Sequence, residues 1–197
     1  ADKRLLAIES EVARSLRAMK REGNTLADVL RLAFDSGNLS ILTKVSPATA
    51  TNAHISVMGH ITMYELNSYI REVELWNGFA NRFLFVLATR SKSLARGPRP
   101  DYATLSSRTN TALTKARTLG EITWDSASEA LWDVVYDDLT EDSPGVIGAI
   151  TGRAEALVLR LSVLYAAIDG SSTIQIEHLL AALAVWDYCE ASAFYVF

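Results

Sequence analysis

The chain has 197 residues, of which 49% are apolar and 21% are charged, and its net charge is −4 at pH 7. These values are typical of a soluble globular protein that forms one large or two small domains. The single cysteine, Cys189, excludes an internal disulfide framework and suits a reducing compartment.

The two ends of the chain bear on its location. No signal peptide is visible, and the most hydrophobic window, residues 179–197, is interrupted by Asp187 and Glu190. We therefore expect no membrane span and a cytoplasmic location. The chain opens without methionine on a strand-like segment and stops inside an apolar helix, so we expect a piece of a longer protein.

Charge is unevenly distributed along the sequence. Residues 1–100 contain 14 Lys and Arg against 9 Asp and Glu, whereas residues 101–197 contain 5 against 14. The basic half is the better candidate for a surface that binds a polyanion.

The first hundred residues predict small strands between helices. The apolar run 5–8 predicts a strand, and helical periodicity follows it up to Gly23 and again over 24–37. Alternating residues over 39–45 and an extended pattern over 53–58 predict a hairpin whose second arm enters the core. Thr62 followed by Glu65 predicts a capping box for a helix that reaches Val73.

The remainder is predicted to be helical after one more strand. The apolar run 83–87 predicts a strand buried on both faces, and residues 89–101 are basic and contain prolines, as in a linker. Helices are predicted over residues 102–118, 126–139, 150–168 and 176–196, the second with a Ser126/Glu129 capping box. The predicted fold class is α/β followed by all-α, mostly helical, with domains at 1–90 and 102–197 joined by a linker at 91–101.

Arg82 lies between the glycine-containing turn at Gly78 and the predicted strand 83–87. A rigidly placed guanidinium offers a planar fork of donors that matches phosphate oxygens. The alternative is an arginine that caps a core strand by bonding an unpaired carbonyl, and the residues alone leave both interpretations open.

Glu9 and Glu11 follow the first predicted strand. Nucleoside triphosphatases place at such a strand end the acid that holds magnesium through water and the acid that orients the attacking water. Residues two apart on an extended strand point the same way, so both carboxylates could face one site. The alternative is an acidic first turn that opposes the helix dipole.

Two further pairs carry polar groups. His60 and Thr62 end the strand 53–58, where either could touch a γ-phosphate or a water, although Thr62 also suits a helix cap. Arg153 and Arg160 are two helical turns apart at the edge of an apolar stripe; the alternative is that their stems cover the core and their charges stay in water. The histidines lack metal-ligand spacing, and with a lone cysteine we expect no zinc site.

The order of these features resembles the downstream half of an AAA+ ATPase core followed by its lid, and among well-known proteins the minichromosome-maintenance helicase is the most similar. The chain more specifically resembles a bacterial, phage and plasmid family, catalogued as a domain of unknown function, of helicase-like and primase-associated proteins. The segments that carry this resemblance are 21–26 (Arg-Glu-Gly-Asn-Thr-Leu), 59–62 (Gly-His-Ile-Thr), 77–83 (Asn-Gly-Phe-Ala-Asn-Arg-Phe) and 185–190 (Val-Trp-Asp-Tyr-Cys-Glu).

The resemblance implies roles for these residues in a replication-associated, RecA-like or AAA+ ATPase. Glu9 and Glu11 would be the Walker B acids, with Glu9 holding Mg through water, and His60 or Thr62 would be the first sensor. Arg82 would be the arginine finger that reaches a neighbouring subunit's nucleotide in a homo-oligomeric ring.

The lid and the hairpin receive roles in the same way. Arg153 would be the second sensor, with Arg160 as a further nucleotide-sensing residue on the lid. Lys44, near the hairpin tip, would match the hairpin with which the helicases contact DNA, single-stranded DNA in particular.

Two departures from the family pattern matter. Glu9 stands where the family has aspartate, and no Gly-x-x-x-x-Gly-Lys-Ser/Thr phosphate loop occurs in the 197 residues. We therefore expect ATP and Mg to act only in the full-length protein, and the chain by itself to be inactive. The alternative class is a non-catalytic helical module that binds DNA or protein and uses no nucleotide.

Overall fold

A computed structural model describes residues 2–41, 48–97 and 99–197. The chain is mostly helical with small sheets, which confirms the coarse fold prediction. It divides into two compact units: the first reaches Phe83 and includes Ser143–Ile150 and Val196–Phe197, and the second comprises Leu84–Asp142 and Thr151–Tyr195. The predicted domains 1–90 and 102–197 stay a prediction.

The first unit begins with strands and helices in alternation. Its elements are β1 (Arg4–Glu9), α1 (Val12–Met19), α2 (Leu26–Asp35), β2 (Leu39–Ile41), β3 (Ala48–Ala50), β4 (His54–Gly59), α3 (Met63–Tyr69), α4 (Glu72–Trp76) and a 3-10 turn (Ala80–Arg82). Helix α1 buries Ala13, Leu16 and Met19 and packs against α3, which buries Leu66. The apolar spacing that predicted α1 is thus the face that it buries.

The strand pairing corrects the predicted hairpin. β2 pairs antiparallel with β3, so the return arm is Ala48–Ala50. β4 instead pairs parallel with β1, from Arg4 opposite His54 to Glu9 opposite Gly59. Asn52 separates β3 from β4 in the left-handed region at φ 54°, which redirects the chain between the two strands.

The helix that was predicted to reach Val73 is two helices. The Thr62 cap is confirmed, because its side chain accepts a hydrogen bond from the backbone N–H of Glu65. Ile70 then adopts extended backbone angles and ends α3, and Arg71 is also extended before α4 begins. The apolar spacing continues across this break, which is why the sequence pattern did not show it.

The predicted strand over 83–87 is wrong. These residues form no ladder, and Val86 is 63% exposed. In the second unit, the backbone of Leu87 bonds instead to two side chains, donating to Ser192 Oγ at 3.2 Å and accepting from the hydroxyl of Tyr188. An apolar run shows that a segment avoids water but not that a partner strand is present.

The second unit is mostly helical. Its elements are α5 (Tyr102–Ala116), β5 (Thr123–Trp124), α6 (Ser126–Thr140), α8 (Ala154–Asp169), β6 (Thr173–Ile174) and α9 (Ile176–Val196); α7 (Gly145–Thr151) precedes α8. β5 and β6 form a short parallel pair. The cap of α6 is Asp125, which accepts from the backbone N–H of Ser128 at 2.7 Å, and not the predicted Ser126.

Helix α9 contributes much of the core of the second unit. Leu179, Ala182, Trp186 and Cys189 are buried on one side of it, and burial raises the pKa of the Cys189 thiol. Among the described residues it is the helix that is long and apolar enough to cross a membrane. Since a core helix of a soluble protein passes the same test, the cytoplasmic location stays a prediction.

Candidate functional site

Four predicted site residues lie at the carboxyl end of the β1–β4 pair. Glu9 is the last residue of β1, Glu11 occupies the N-cap position of α1, and His60 and Thr62 follow β4. Because the two strands are parallel, their carboxyl ends meet at one edge of the sheet. In open parallel sheets this edge is where ligands bind.

Backbone hydrogen bonds fix this arrangement. His60 N–H donates to the carbonyl of Glu9 at 2.9 Å, and Val12 N–H donates to the carbonyl of His60 at 3.0 Å. Gly59 allows the close approach, because a Cβ at this position would overlap Cγ2 of Val12. The first turn of α1 and the end of β4 are thereby held together.

The two carboxylates are available to a ligand. Glu9 and Glu11 are exposed, and no side-chain hydrogen bond or ion pair engages them within residues 2–41, 48–97 and 99–197. Glu11 does not cap α1 with its side chain. The two carboxylates can together supply ligands to a hydrated cation and accept hydrogen bonds from water.

Glu9 and Glu11 do not by themselves form a complete metal site. The part of the chain that the structure describes contains no group of three or more His, Cys, Asp or Glu residues that could hold a metal ion. Mg²⁺ in phosphoryl-transfer sites usually takes only one or two carboxylates and keeps water and phosphate oxygens as its other ligands. Glu9 and Glu11 fit that smaller contribution.

His60 and Thr62 differ in availability. Thr62 Oγ1 accepts from Glu65 N–H at 3.2 Å and donates to Glu65 Oε2 at 3.0 Å, so its hydroxyl is used by the cap. The imidazole of His60 is exposed and has no hydrogen-bond partner within the described ranges. His60 is therefore the better placed of the two to contact a bound ligand.

The side chain of Arg82 is bonded within the first unit. It ends the 3-10 turn, and its side chain is only 8% exposed. The guanidinium donates to Asp35 Oδ2 at 2.6 Å and to Asp35 Oδ1 at 3.3 Å, and it also donates to the carbonyl of Gly78. Its Cζ lies 5.6 Å from the ring centroid of Phe34.

Gly78 is required by this geometry. It has a φ of 82°, and a Cβ there would lie 2.8 Å from Arg82 Nη1. Glycine therefore permits both the left-handed turn and the return of the guanidinium onto the Gly78 carbonyl. The alternative interpretation, in which Arg82 bonds an otherwise unpaired carbonyl, describes this conformation. Arg82 bonds the carboxylate of Asp35 as well.

Sequence analysis did not identify the acidic partners of Arg82 and Arg71. Asp35 ends α2, 47 positions from Arg82, and the second missed acid, Glu74, is buried in α4. Glu74 pairs with Arg71 and accepts from Asn77 Nδ2 at 2.9 Å. The spacing of three residues from Arg71 to Glu74 and from Glu74 to Asn77 was a signal for the second group, whereas no local pattern marks Asp35.

The other predicted residues lie elsewhere. Arg153 occupies the N-cap position of α8 and is half-buried, and Arg160 is exposed within α8; both belong to the second unit. Lys44 lies outside the described residues. The structure thus brings Glu9, Glu11, His60 and Thr62 together.

Comparisons with known proteins assign no family. No protein-family model matches the chain, and no curated protein matches it in sequence.

Proposed function

We propose that the chain is the downstream part of a P-loop ATPase core and its helical lid, from a replication-associated, helicase-like protein of a mobile element. The observation that carries the proposal is the position of Glu9 and Glu11 beside His60, at the carboxyl end of two adjacent parallel strands. A crossover through two helices joins these strands, as in α/β nucleotide-binding folds.

The proposed chemistry follows from these groups. Glu9 would hold Mg²⁺ through water, and Glu11 would orient the water that attacks the γ-phosphate of ATP. His60 donates a hydrogen bond to that phosphate and so distinguishes ATP from ADP. Mg²⁺ held there would neutralise the charge of the phosphates, which two carboxylates would otherwise repel.

The exposure of the β1–β4 sheet is an argument for a further strand beside it in the full-length protein. Leu6 and Ile8 on one face of β1 are 59% and 63% exposed, and Leu5 on the other face is 56% exposed. Parallel sheets normally have both faces covered and several strands. In the described part of the chain each of β1 and β4 pairs only with the other, so a free edge of this sheet can accept the strand that bears the missing phosphate loop.

In this proposal, Arg82 exchanges its bonds with Asp35 for bonds with a phosphate. As an arginine finger it would act on the nucleotide of a neighbouring subunit in a homo-oligomeric ring, and it must first leave Asp35. Arg153 and Arg160 would sense the nucleotide from the lid. Lys44 would contact single-stranded DNA, to which hydrolysis is coupled.

ATP hydrolysis by the full-length protein, with and without single-stranded DNA, tests the proposal. Glu11→Gln should lower turnover by a factor of about 10² to 10⁴, the usual contribution of a group that positions and deprotonates water, and leave ATP binding in place. Glu22→Gln, which removes another exposed carboxylate with no ion pair among the described residues, is the matched control. Equal rates for the two variants would refute the assignment of Glu11.

One observation favours the rival proposal of a non-catalytic interaction module. Arg82 is buried and paired with Asp35, which a purely structural arginine would also show. The coding sequence upstream of Ala1 discriminates between the two. A glycine-rich loop with lysine there favours the ATPase, and its absence favours the module.

A further inference from the structure

Residues 90–117, which we call the basic segment, concentrate positive charge in the second unit. The segment contains seven Lys or Arg residues and a single acid, Asp101. Arg90, Lys92, Arg96 and Arg99 precede α5, whereas Arg108 and Lys115 lie on α5 and Arg117 follows it. All seven are exposed.

None of these seven cations forms an ion pair within the described ranges. The rest of the second unit contains 13 Asp or Glu and only two Lys or Arg. Carboxylates are therefore abundant in the same unit, but the fold does not use them to neutralise the segment. The concentrated positive charge is left for an external anion.

Asp101, the one acid of the segment, is already engaged. Its carboxylate accepts from Thr104 Oγ1 at 2.6 Å and from the backbone N–H groups of Ala103 and Thr104 at 3.1 Å. These bonds hold the pKa of Asp101 below its usual value. Asp101 thus caps α5 and does not pair with a neighbouring arginine.

Helix α5 presents its cations along an open groove. Arg108, Thr111 and Lys115 line this groove together with Ile168 and Asp169. Arg108 and Lys115 are two turns apart, or about 10 Å along the axis, so they can contact different phosphates of one strand. The carboxylate of Asp169 is 3.2 Å from Nε2 of His178.

The same helix exposes an aromatic ring. Tyr102, at the first position of α5 and three residues after Arg99, is 72% exposed. Alternation of cations with an exposed aromatic side chain is the pattern of proteins that bind single-stranded nucleic acid, because bases stack on the ring while phosphates contact the cations.

We propose that the basic segment is a binding surface for single-stranded nucleic acid, in which the seven cations contact phosphates and Tyr102 stacks on a base. Binding at this surface needs no nucleotide and does not involve Lys44. This proposal does not depend on the ATPase proposal. A full-length protein that binds DNA without hydrolysing ATP, or that hydrolyses ATP without binding DNA, would separate the two proposals.

The test is a titration of a fluorescently labelled 20-nucleotide oligothymidylate with the 197-residue chain, without ATP, at several salt concentrations. Arg99→Gln combined with Arg108→Gln should weaken binding about 10-fold at low salt and reduce the slope of log K against log salt by about 1.4. The matched control, Arg14→Gln with Arg21→Gln, removes two exposed arginines from the first unit and should change affinity less than about 2-fold.

Two additional variants complete the test. Tyr102→Ala should weaken binding about 5-fold or more without changing the salt slope, since stacking releases no counterion. Lys92→Gln with Arg96→Gln repeats the charge test before α5, and circular dichroism checks that every variant is folded.

Three results would overturn the proposal. They are no binding by the unmodified chain at low salt, equal weakening by the two double-arginine variants, and displacement of the oligonucleotide by polyglutamate of matched charge at equal concentration. The last result would identify an acidic protein as the partner.

Discussion

The guanidinium of Arg82 holds the carboxylate of Asp35 through two hydrogen bonds, 2.6 Å from Nη2 and 3.3 Å from Nε. This pairing joins the 3-10 turn to the end of α2. It also occupies the same donors that a phosphate would use, so the two roles of Arg82 exclude each other at any moment.

Substitution at this pair should affect stability first. Arg82→Ala leaves the Asp35 carboxylate and the Gly78 carbonyl without their donor, and we expect the free energy of unfolding to fall by about 1–3 kcal/mol. Asp35→Asn keeps an acceptor and should cost less. Urea denaturation of the 197-residue chain measures both, and an unchanged midpoint for Arg82→Ala would show that the pair does not stabilise the fold.

The same two variants separate a structural arginine from a finger. If the full-length protein hydrolyses ATP as proposed, Arg82→Ala should lower turnover by about 10³, whereas Asp35→Asn should retain most of it, because Arg82 is then released and still present. Steady-state turnover at saturating ATP is the measurement. Equal loss of turnover in both variants would assign Arg82 to the fold alone.

Gly59 should tolerate no side chain. Gly59→Ala places a methyl group against Cγ2 of Val12, so α1 or the end of β4 must shift, and we expect a loss of about 1–3 kcal/mol. Gly120→Ala is the matched control, since no atom lies within 4 Å of the added Cβ. Thermal unfolding compares them, and equal midpoints would contradict the close approach of Val12.

Asp125 should make stability depend on pH. Its hydrogen bonds with the backbone and side chain of Ser128 hold its pKa below the usual value. The folded state therefore favours the carboxylate, and this stabilisation is present above the ordinary Asp pKa and disappears as the pH falls through the lowered value. We expect Asp125→Ala to lower the melting temperature at pH 7 and to converge with the unmodified chain as the pH falls through the lowered pKa.

Ser126→Ala is the control for that experiment, because Ser126 was the cap that the sequence predicted and the structure assigns the cap to Asp125. Its melting temperature should match that of the unmodified chain at every pH. A pH-dependent loss in Ser126→Ala would restore the original prediction.

The chain by itself should bind ATP weakly. Glu9 and Glu11 can hold a cation, but the backbone donors of a phosphate loop are missing from the 197 residues. Isothermal titration with ATP and Mg²⁺ should give no saturation below millimolar concentrations. Sub-micromolar affinity would reveal a phosphate site of a different kind.

The sequence predicted those elements whose information is local. The run 5–8 and the Thr62/Glu65 spacing each specify a strand or a cap within a few residues, and both were confirmed. The run 83–87 was wrong because strand formation depends on a partner that no local pattern encodes. β5 and β6 have only two residues each, too few for any periodicity.

The candidate site, like the fold, could be predicted only where the information is local. Glu9 and His60 lie at one edge because β1 and β4 pair in parallel, a pairing that the predicted hairpin over 39–45 and 53–58 did not include. The partner of Arg82 needed the position of α2, since Asp35 is 47 residues away. Long-range ion pairs of this kind follow from packing and not from spacing in the sequence.

The β1–β4 ladder has a consequence for how the first unit folds. Every residue of β1 pairs with the residue 50 positions later, as Arg4 does with His54. Closing a loop of that length costs about 3.5 kcal/mol of chain entropy before the first pair forms. The helices between the strands can form without that cost, so the ladder should form late, and its refolding rate should be slow compared with that of a helical bundle.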